Sequence, residues 1–431
     1  MASPVSVVIL AAGKGTRMKS ATPKVLHPLC GRPMLEWVLD QAAELDPARV
    51  VVVVGHQAGD VEAAARKAVA GGILEDRLRT VIQEPQLGTG HAVACAVPEL
   101  GDDPGTVVVL YGDMPLLRGE TVQELIAQRA EGGDGCIALL TSVLDDPHGY
   151  GRIVRAEDGS FEGIVEEKDC SEDQRLIDEG NLGVYAFDGK PLLADLPKLG
   201  SDNAQGEMYL TDLPGMAAAD GREVRPLAVV DPDEGLGIND LSQLAAARFE
   251  LQMRILTTHL EAGVQILDPQ SAWVDYGVEI GPGTRLLPGV VIERGVKIGP
   301  GCAVGPFSHL REGTVLLEGA QIGNFTECKN TTMGEGSKAK HLSYLGNATV
   351  GRKANIGAGT IFANYDGKAK HPTEVGDGAF IGSGTIIVAP NTIPKDATTG
   401  AGAVITRKAD MAEGDTWIGM PAKRLRSKSP K

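Results

Sequence analysis

Apolar residues recur along this chain with three different periods. In the first half they come as short, nearly continuous β-branched runs. Val5 to Leu10, Val50 to Val54 and Val107 to Leu110 each read as a buried strand. Between them the spacing lengthens to three and four. Pro33 to Leu45 (Leu35, Val38, Leu39, Ala42), Val61 to Val69 and Thr121 to Ala130 predict helices. Strands alternating with helices imply a doubly wound, mostly parallel α/β sheet, with ligands beyond the carboxyl ends of its strands. Asp240 to Ala262 predicts one long helix, with Asn239 or Asp240 as its cap.

After Asp268-Pro269 the period becomes six. Val274, Ile280, Leu286, Ile292, Ile298, Val304, Leu310, Leu316, Ile322 and Cys328 keep it without a break. It resumes at Val350, Ile356 and Phe362, then at Val375, Ile381, Ile387, Ile393 and Ile405. A hexapeptide repeat is the mark of a β-helix, each apolar residue turning inward and three hexapeptides closing one coil. About seven coils are expected, a stack of roughly 34 Å at ~4.8 Å per layer. The register breaks at Asn364 to Thr373, and a loop expelled from a solenoid tends to lie on its binding face. The patterns divide the chain into an α/β domain over 1–238, a helical linker over 239–266 and a β-helix over 267–431.

Composition narrows the partners. The chain has 431 residues, a formal net charge of −16, 56 glycines and 4% aromatic residues. That charge disfavours nucleic acid and anionic membrane as main partners, and the glycines suit a turn-rich β architecture. Six cysteines, at 30, 95, 136, 170, 302 and 328, form no C-x-x-C pair and read as reduced thiols of a cytoplasmic protein. No apolar run reaches membrane-spanning length. The first apolar run lacks a basic region before it and passes straight into a glycine loop, as a strand and not a signal peptide.

Candidate chemistry begins in that loop, Leu10-Ala11-Ala12-Gly13-Lys14-Gly15-Thr16-Arg17-Met18, with Pro23-Lys24 beyond. Its glycines let the backbone approach a ligand closely, and its amides can cradle phosphate oxygens. Lys14, Arg17 and Lys24 add the cations a triphosphate needs. It is neither a dinucleotide fingerprint, Met18 standing where a third Gly belongs, nor a P-loop. Asp113 ends the Val107–Leu110 run. It is placed to hold Mg²⁺ on a triphosphate, or simply opens the next turn. Gln83, before Gly88-Thr89-Gly90-His91, can bond a nucleobase edge, while Thr89 is also a candidate helix cap. In the second half His341 suits a general base, or a structural polar corner.

The Leu10–Met18 loop with Pro23-Lys24-Val25-Leu26 resembles the signature of sugar-1-phosphate nucleotidyltransferases. The stretches Gly149–Ile153, Val165–Asp169, Asn181–Tyr185, Asn203–Glu207 and Gly237–Asn239 extend the likeness. Together they resemble the family of bifunctional N-acetylglucosamine-1-phosphate uridyltransferases / glucosamine-1-phosphate acetyltransferases. The resemblance implies a left-handed β-helix, a homotrimer, and synthesis of UDP-N-acetylglucosamine for cell-envelope precursors. The substrates would be glucosamine-1-phosphate with acetyl-CoA, then N-acetylglucosamine-1-phosphate with UTP. It implies UTP contacts at Leu10, Ala11, Ala12, Gly13, Lys24, Gln83, Gly88 and Thr89, with Arg17 and Lys24 catalytic. Tyr111, Gly112, Gly151, Glu166 and Asn181 would contact the nucleotide-sugar, and Asp113 and Asn239 would hold Mg²⁺. In the string Lys338–Tyr344 the resemblance implies that His341 is the base of acetyl transfer. Arg311, Lys329, Tyr344, Asn355 and Lys370 would bind sugar phosphate, and Ala358, Asn364, Tyr365, Ser383 and Ala401 would line the acetyl-CoA site. Two departures stand out. The solenoid is shorter, by roughly two coils before Arg311. The family's Arg near the cofactor is missing from the carboxyl end, where Lys423, Arg424 or Arg426 would substitute. An alternative keeps uridyl transfer alone, with the β-helix as an oligomerisation or regulatory module; a third reading is a non-enzymatic scaffold or sensor.

Overall fold

The computed structural model describes residues 3–425. The chain folds as two compact units, Met1–Glu250 and Leu251–Lys431. The division falls inside the Leu241–Glu261 helix, whose first turn is capped by the Asp240 carboxylate accepting from the Ser242 and Gln243 amides.

The first unit is built on a sheet whose central path runs Val224–Ala228, Ile137–Val143, Glu179–Asp188, Thr106–Tyr111, Val5–Ala11, Arg49–Val54, Leu78–Ile82. Every neighbour pair on that path is parallel except the two made by Glu179–Asp188. Val7, Ile9, Val50, Val52 and Leu110 point to one apolar layer, Val8, Leu10, Val51, Val53 and Val109 to another. That two-sided burial is why the strands read as unbroken apolar runs rather than alternating ones. Helices Met34–Glu44, Ala58–Val69, Thr89–Leu100 and Gly119–Glu131 match the 3.6-residue spacing. The first strand, Val5–Ala11, and its neighbour Thr106–Tyr111 end side by side, Leu10 opposite Tyr111. This sets the glycine loop next to Asp113.

The second unit is a parallel β-helix. Leu286, Val304, Ile322, Ala339, Ile356, Ile381 and Thr399 sit on successive rungs and are all buried. The residue three places after an inward one turns the corner with positive φ: Gly277, Gly283, Gly289, Gly295 and Gly301. Glycine takes that left-handed conformation without steric cost, which accounts for the repeat's glycine content. Phe307, Phe325 and Leu342 hold the same corner position with φ of 52°, 55° and 43°.

The stack is taller than the expected seven coils. Parallel rungs on one side continue from Gln265–Ile266 to Thr416–Ile418 through nine levels. One coil escapes the hexad count because the inward residue after Cys328 is Met333, five places on; Ala339 and Leu345 then restore the step of six until Val350, again five on. Asn330 and Asn347, each with positive φ, make these tighter turns. The segment between Ile361–Ala363 and Thr373–Val375 leaves the stack, as the register break implied, and closes on itself through the Tyr365–Lys370 bridge. Phe362 fills the core immediately before it, fully buried. Phe362→Ala is expected to lower the unfolding free energy of this unit by about 3–5 kcal/mol. Ile361→Ala, on the 39% exposed neighbour, should shift it far less, and denaturant titration of both variants checks the difference.

Candidate active sites

At the carboxyl end of the Val5–Ala11 strand two clefts adjoin, sharing Lys24, Gln83, Gln86 and Asn239. The first, of about 780 Å³, is lined by Lys14, Gly15, Thr16, Arg17 and His56 among others. Around the second, of about 380 Å³, stand Leu10, Ala11, Ala12, Gly13, Gly88, Thr89, Tyr111, Asp113 and Glu207. The structure therefore gathers the residues expected at UTP, and the cations Lys14, Arg17 and Lys24, around one region.

Local geometry explains the glycines. Gly15 has φ 58°, and a Cβ there would lie 2.7 Å from Lys24 Cβ. Gly88 has φ 105°, and a Cβ would stand 2.6 Å from the Met208 carbonyl oxygen. Backbone bonds from Met208 N to Leu87 O (2.8 Å) and Gly90 N to Met208 O (2.8 Å) bring Glu207 into the cleft. The Thr89 hydroxyl does not cap its own helix; it accepts from the Leu210 amide at 3.0 Å.

Lys24, Asp113 and Asn239 form the charged centre. The Lys24 ammonium pairs with the Asp113 carboxylate and donates to Asn239 Oδ1 at 3.1 Å. Asn239 is held there because Ile238 N donates to the Asp113 carbonyl at 2.9 Å. Asp113 thus lines the second cleft beside Lys24 and Asn239. Two hard oxygens converging on one cation also fit Mg²⁺, which keeps much of its shell for water and phosphate. Among the described residues no group of three or more His, Cys, Asp or Glu is arranged for a metal.

Gly151, Glu166 and Asn181 form an adjoining cluster. Asn181 faces Gly151 across the sheet, and Glu166 accepts from the Thr211 hydroxyl at 2.9 Å. Burial is the chief cause raising the Glu166 carboxyl above its ordinary pKa; Thr211 opposes it, and Asp169, Asp212 and Glu207 add to it. Asn181 is already engaged, donating to Tyr185 Oη at 2.8 Å and accepting from Gly183 N at 3.2 Å. Gly112 donates its amide to Leu10 O at 2.9 Å and ties the two strand ends. Gln86 and Glu207 line the clefts without having been singled out for a role. The signal for each lay in stretches already noted, Gln83–His91 and Asn203–Glu207.

In the β-helix, register sets the second constellation. Ala339, Ile356, Ile381 and Thr399 are rung partners. Two residues on from each stand His341, Ala358, Ser383 and Ala401, one column down a corner of the prism. His341, Ser383 and Ala401 are exposed. Around that corner Leu310, Cys328 and Leu345 are rung partners, so Arg311 and Lys329 follow one another on successive coils. Tyr344 pairs with Glu327, and Arg311 is tied to Glu327 at 2.8 Å. Asn355 lies between Lys338 and Phe380 on neighbouring rungs. Asn364 is buried and donates to Asn347 Oδ1 at 2.8 Å, and Tyr365 is 60% exposed on the expelled loop.

Lys370 stands apart from the rest of its set. It lines a cavity of about 270 Å³ with Asn330, Thr332 and Asn347, whose walls do not include His341, Arg311 or Lys329. On the expelled loop His371 is half-buried, and its Nε2 bonds the Asp366 carboxylate at 2.6 Å. At the carboxyl end Arg424 is taken up by the buried Asp415 carboxylate at 2.6 Å, Lys423 is exposed, and Arg426 lies outside the described residues. All six cysteines are free thiols, and among the described residues no helix is long and apolar enough to cross a membrane.

A doubly wound sheet with a phosphate-suited glycine loop, joined to a hexapeptide β-helix, defines a nucleotidyltransferase carrying a second, acyltransferase-type module. Residues 7–161 match the MobA-like NTP transferase domain family. Along most of its length the chain is similar to proteins named "Bifunctional protein GlmU". That of Alkalilimnicola ehrlichii is 47% identical, covering 95% of this chain and 93% of the relative. Those of Pelobacter propionicus and Streptomyces avermitilis are each 44% identical over 94% of this chain, covering 93% and 90% of the relative. The chain belongs to the GlmU family. It is a bifunctional enzyme of UDP-N-acetylglucosamine synthesis, and the reading with uridyl transfer alone is not favoured, because the likeness runs through both halves. The alignment with the first of these relatives occupies 444 positions although this chain has only 431 residues and contributes 95% of them, so about 35 positions are gaps on its side.

Proposed function

We propose that the α/β unit transfers uridylyl from UTP to N-acetylglucosamine-1-phosphate and that the β-helix acetylates glucosamine-1-phosphate with acetyl-CoA. The domains are 1–238, a linker over 239–266 and 267–431. The register column from His341 to Ala401 supports the second activity most directly: an exposed imidazole stands at the head of a column of small residues.

In the first reaction a phosphate oxygen of the sugar phosphate attacks the α-phosphorus of UTP in line, and pyrophosphate leaves. Phosphoryl chemistry needs positioning and charge neutralisation more than covalent help. Lys14 and Arg17 face the triphosphate's side of the cleft, and Lys24 neutralises charge beside Asp113. Mg²⁺, held by Asp113 and Asn239, would supply further charge neutralisation when bound. Gln83 reads the base, and the Gly151, Glu166 and Asn181 cluster receives the N-acetyl sugar. In the second reaction the amine of glucosamine-1-phosphate attacks the thioester carbon. The nitrogen–carbon bond forms, His341 takes the amine proton, and the carbon–sulfur bond breaks to release the CoA thiol, which receives a proton. Arg311, Lys329, Tyr344 and Asn355 hold the sugar phosphate. Ala358, Ser383 and Ala401, with Asn364 and Tyr365, line the path of CoA.

Lys370 is the residue that asks for a partner. It belongs to the sugar-phosphate set by resemblance but borders another cavity, so we assign it to a neighbouring copy's site in a cyclic homotrimer. The protein is read as cytoplasmic, where its substrates and reduced cysteines belong. Following an acetyl label from acetyl-CoA into sugar phosphate, and a uridylyl label from UTP into UDP-sugar, tests the whole reading. Incorporation of only the second label would return the β-helix to an assembly role.

A further inference from the structure

Gln83, read above as the base contact, is itself held by a histidine. Gln83 is buried, and its Nε2 donates to the Gly88 carbonyl oxygen at 2.8 Å. The same Nε2 lies 3.3 Å from His91 Nδ1, and His91 Nε2 faces Cys95 Sγ at 3.7 Å. A carboxamide nitrogen only donates, so in this contact Nδ1 is the acceptor and the ring hydrogen is on Nε2. Both hydrogens of the Gln83 amide are then committed inside the protein. Its oxygen is the edge left for a ligand in the clefts that Gln83 lines. Turning the amide over would place oxygen against the Gly88 carbonyl and waste the bond to His91.

We propose that His91 is a positioning residue that sets base specificity by locking the Gln83 amide with its oxygen outward. This rests on the reading of Gln83 as the base contact. An outward oxygen accepts the N3–H of uracil. Cytosine carries an unprotonated N3, an acceptor, and meets that oxygen with repulsion. A freely flipping amide would offer its NH₂ to cytosine as readily as its oxygen to uracil. Helix geometry makes the lock rigid: His91 and Cys95 are one turn apart on the Thr89–Leu100 helix, whose first residue is tied to Leu210.

The test measures kcat/KM for uridylyl and cytidylyl transfer, with UTP and CTP, on the full-length enzyme. His91→Leu, which keeps bulk and removes the acceptor, should lower the UTP-to-CTP ratio about tenfold or more, the scale of one mispaired buried polar group. His91→Asn, whose Oδ1 can stand where Nδ1 stood, should restore most of it. A merely structural histidine would lower both nucleotides together and leave the ratio unchanged, and that result overturns the proposal. Gln83→Leu separates the two levels. If it collapses the ratio while His91→Leu does not, the lock is wrong and the base contact stands. If neither variant moves the ratio, the reading of Gln83 falls, and the lock with it.

Discussion

His341→Ala is expected to lower kcat for acetyl transfer by about 10²–10⁴-fold, the usual cost of losing a general base. The attacking amine must shed a proton as it bonds to carbon, and a neutral imidazole near pH 7 is matched to that task. His341 heads the column that continues through Ala358, Ser383 and Ala401, so the loss should fall on kcat with little change in KM for glucosamine-1-phosphate. Uridyl transfer should be untouched. His371→Ala should do far less to acetyl transfer, because that ring is spent on Asp366 in the expelled loop. Steady-state kinetics of both variants decide the matter. A His341 variant that keeps wild-type acetyl transfer from pH 6 to 9 would falsify the assignment.

Asp113→Ala carries the other large effect. It removes the carboxylate that holds the Lys24 ammonium and one of two oxygens converging on the cation position. Uridyl transfer should fall by about 10²–10³-fold or more, as when a preorganised charge contact is deleted. Acetyl transfer should remain near normal, since the two sets of residues lie in separate compact units. Asp113→Asn keeps the shape and loses the charge, so a comparable loss there assigns the effect to electrostatics. Pyrophosphate release and CoA release, followed separately on one preparation, give the answer. Loss of both in a folded variant would count against two independent sites.

Much of this was legible because short-range rules govern it. Buried parallel strands write continuous apolar runs, and a solenoid writes its period directly. The Leu10–Lys24 loop was legible because phosphate recognition concentrates glycines and cations in one stretch. Other features depend on contacts far apart in sequence. Nothing local tells that Asn239 will meet Lys24, or that Glu207 will be carried into the cleft by bonds between Met208 and the Leu87–Gly90 turn. The coil through Met333 and Leu345 was hidden because a five-residue step shifts the phase of a six-residue count. The partnership of Gln83 and His91 lay within one singled-out stretch, yet spacing alone does not reveal which amide atom faces the ring.

A β-helix can change height only in whole storeys. Each rung hydrogen-bonds to the one a full turn above and below, so a length change inside a coil keeps later residues inward only where a corner absorbs it, as at Asn330 and Asn347, or a loop leaves the stack, as at 364–372. Removing entire turns instead heals the stack. One storey is the 18-residue spacing between rung partners such as Leu286 and Val304, or roughly 5 Å of height. The column from His341 to Ala401 spans consecutive rungs and moves as a block under such a change. A lineage can therefore shorten the shaft like a telescoping ruler, in fixed increments, while the chemistry it carries keeps its geometry.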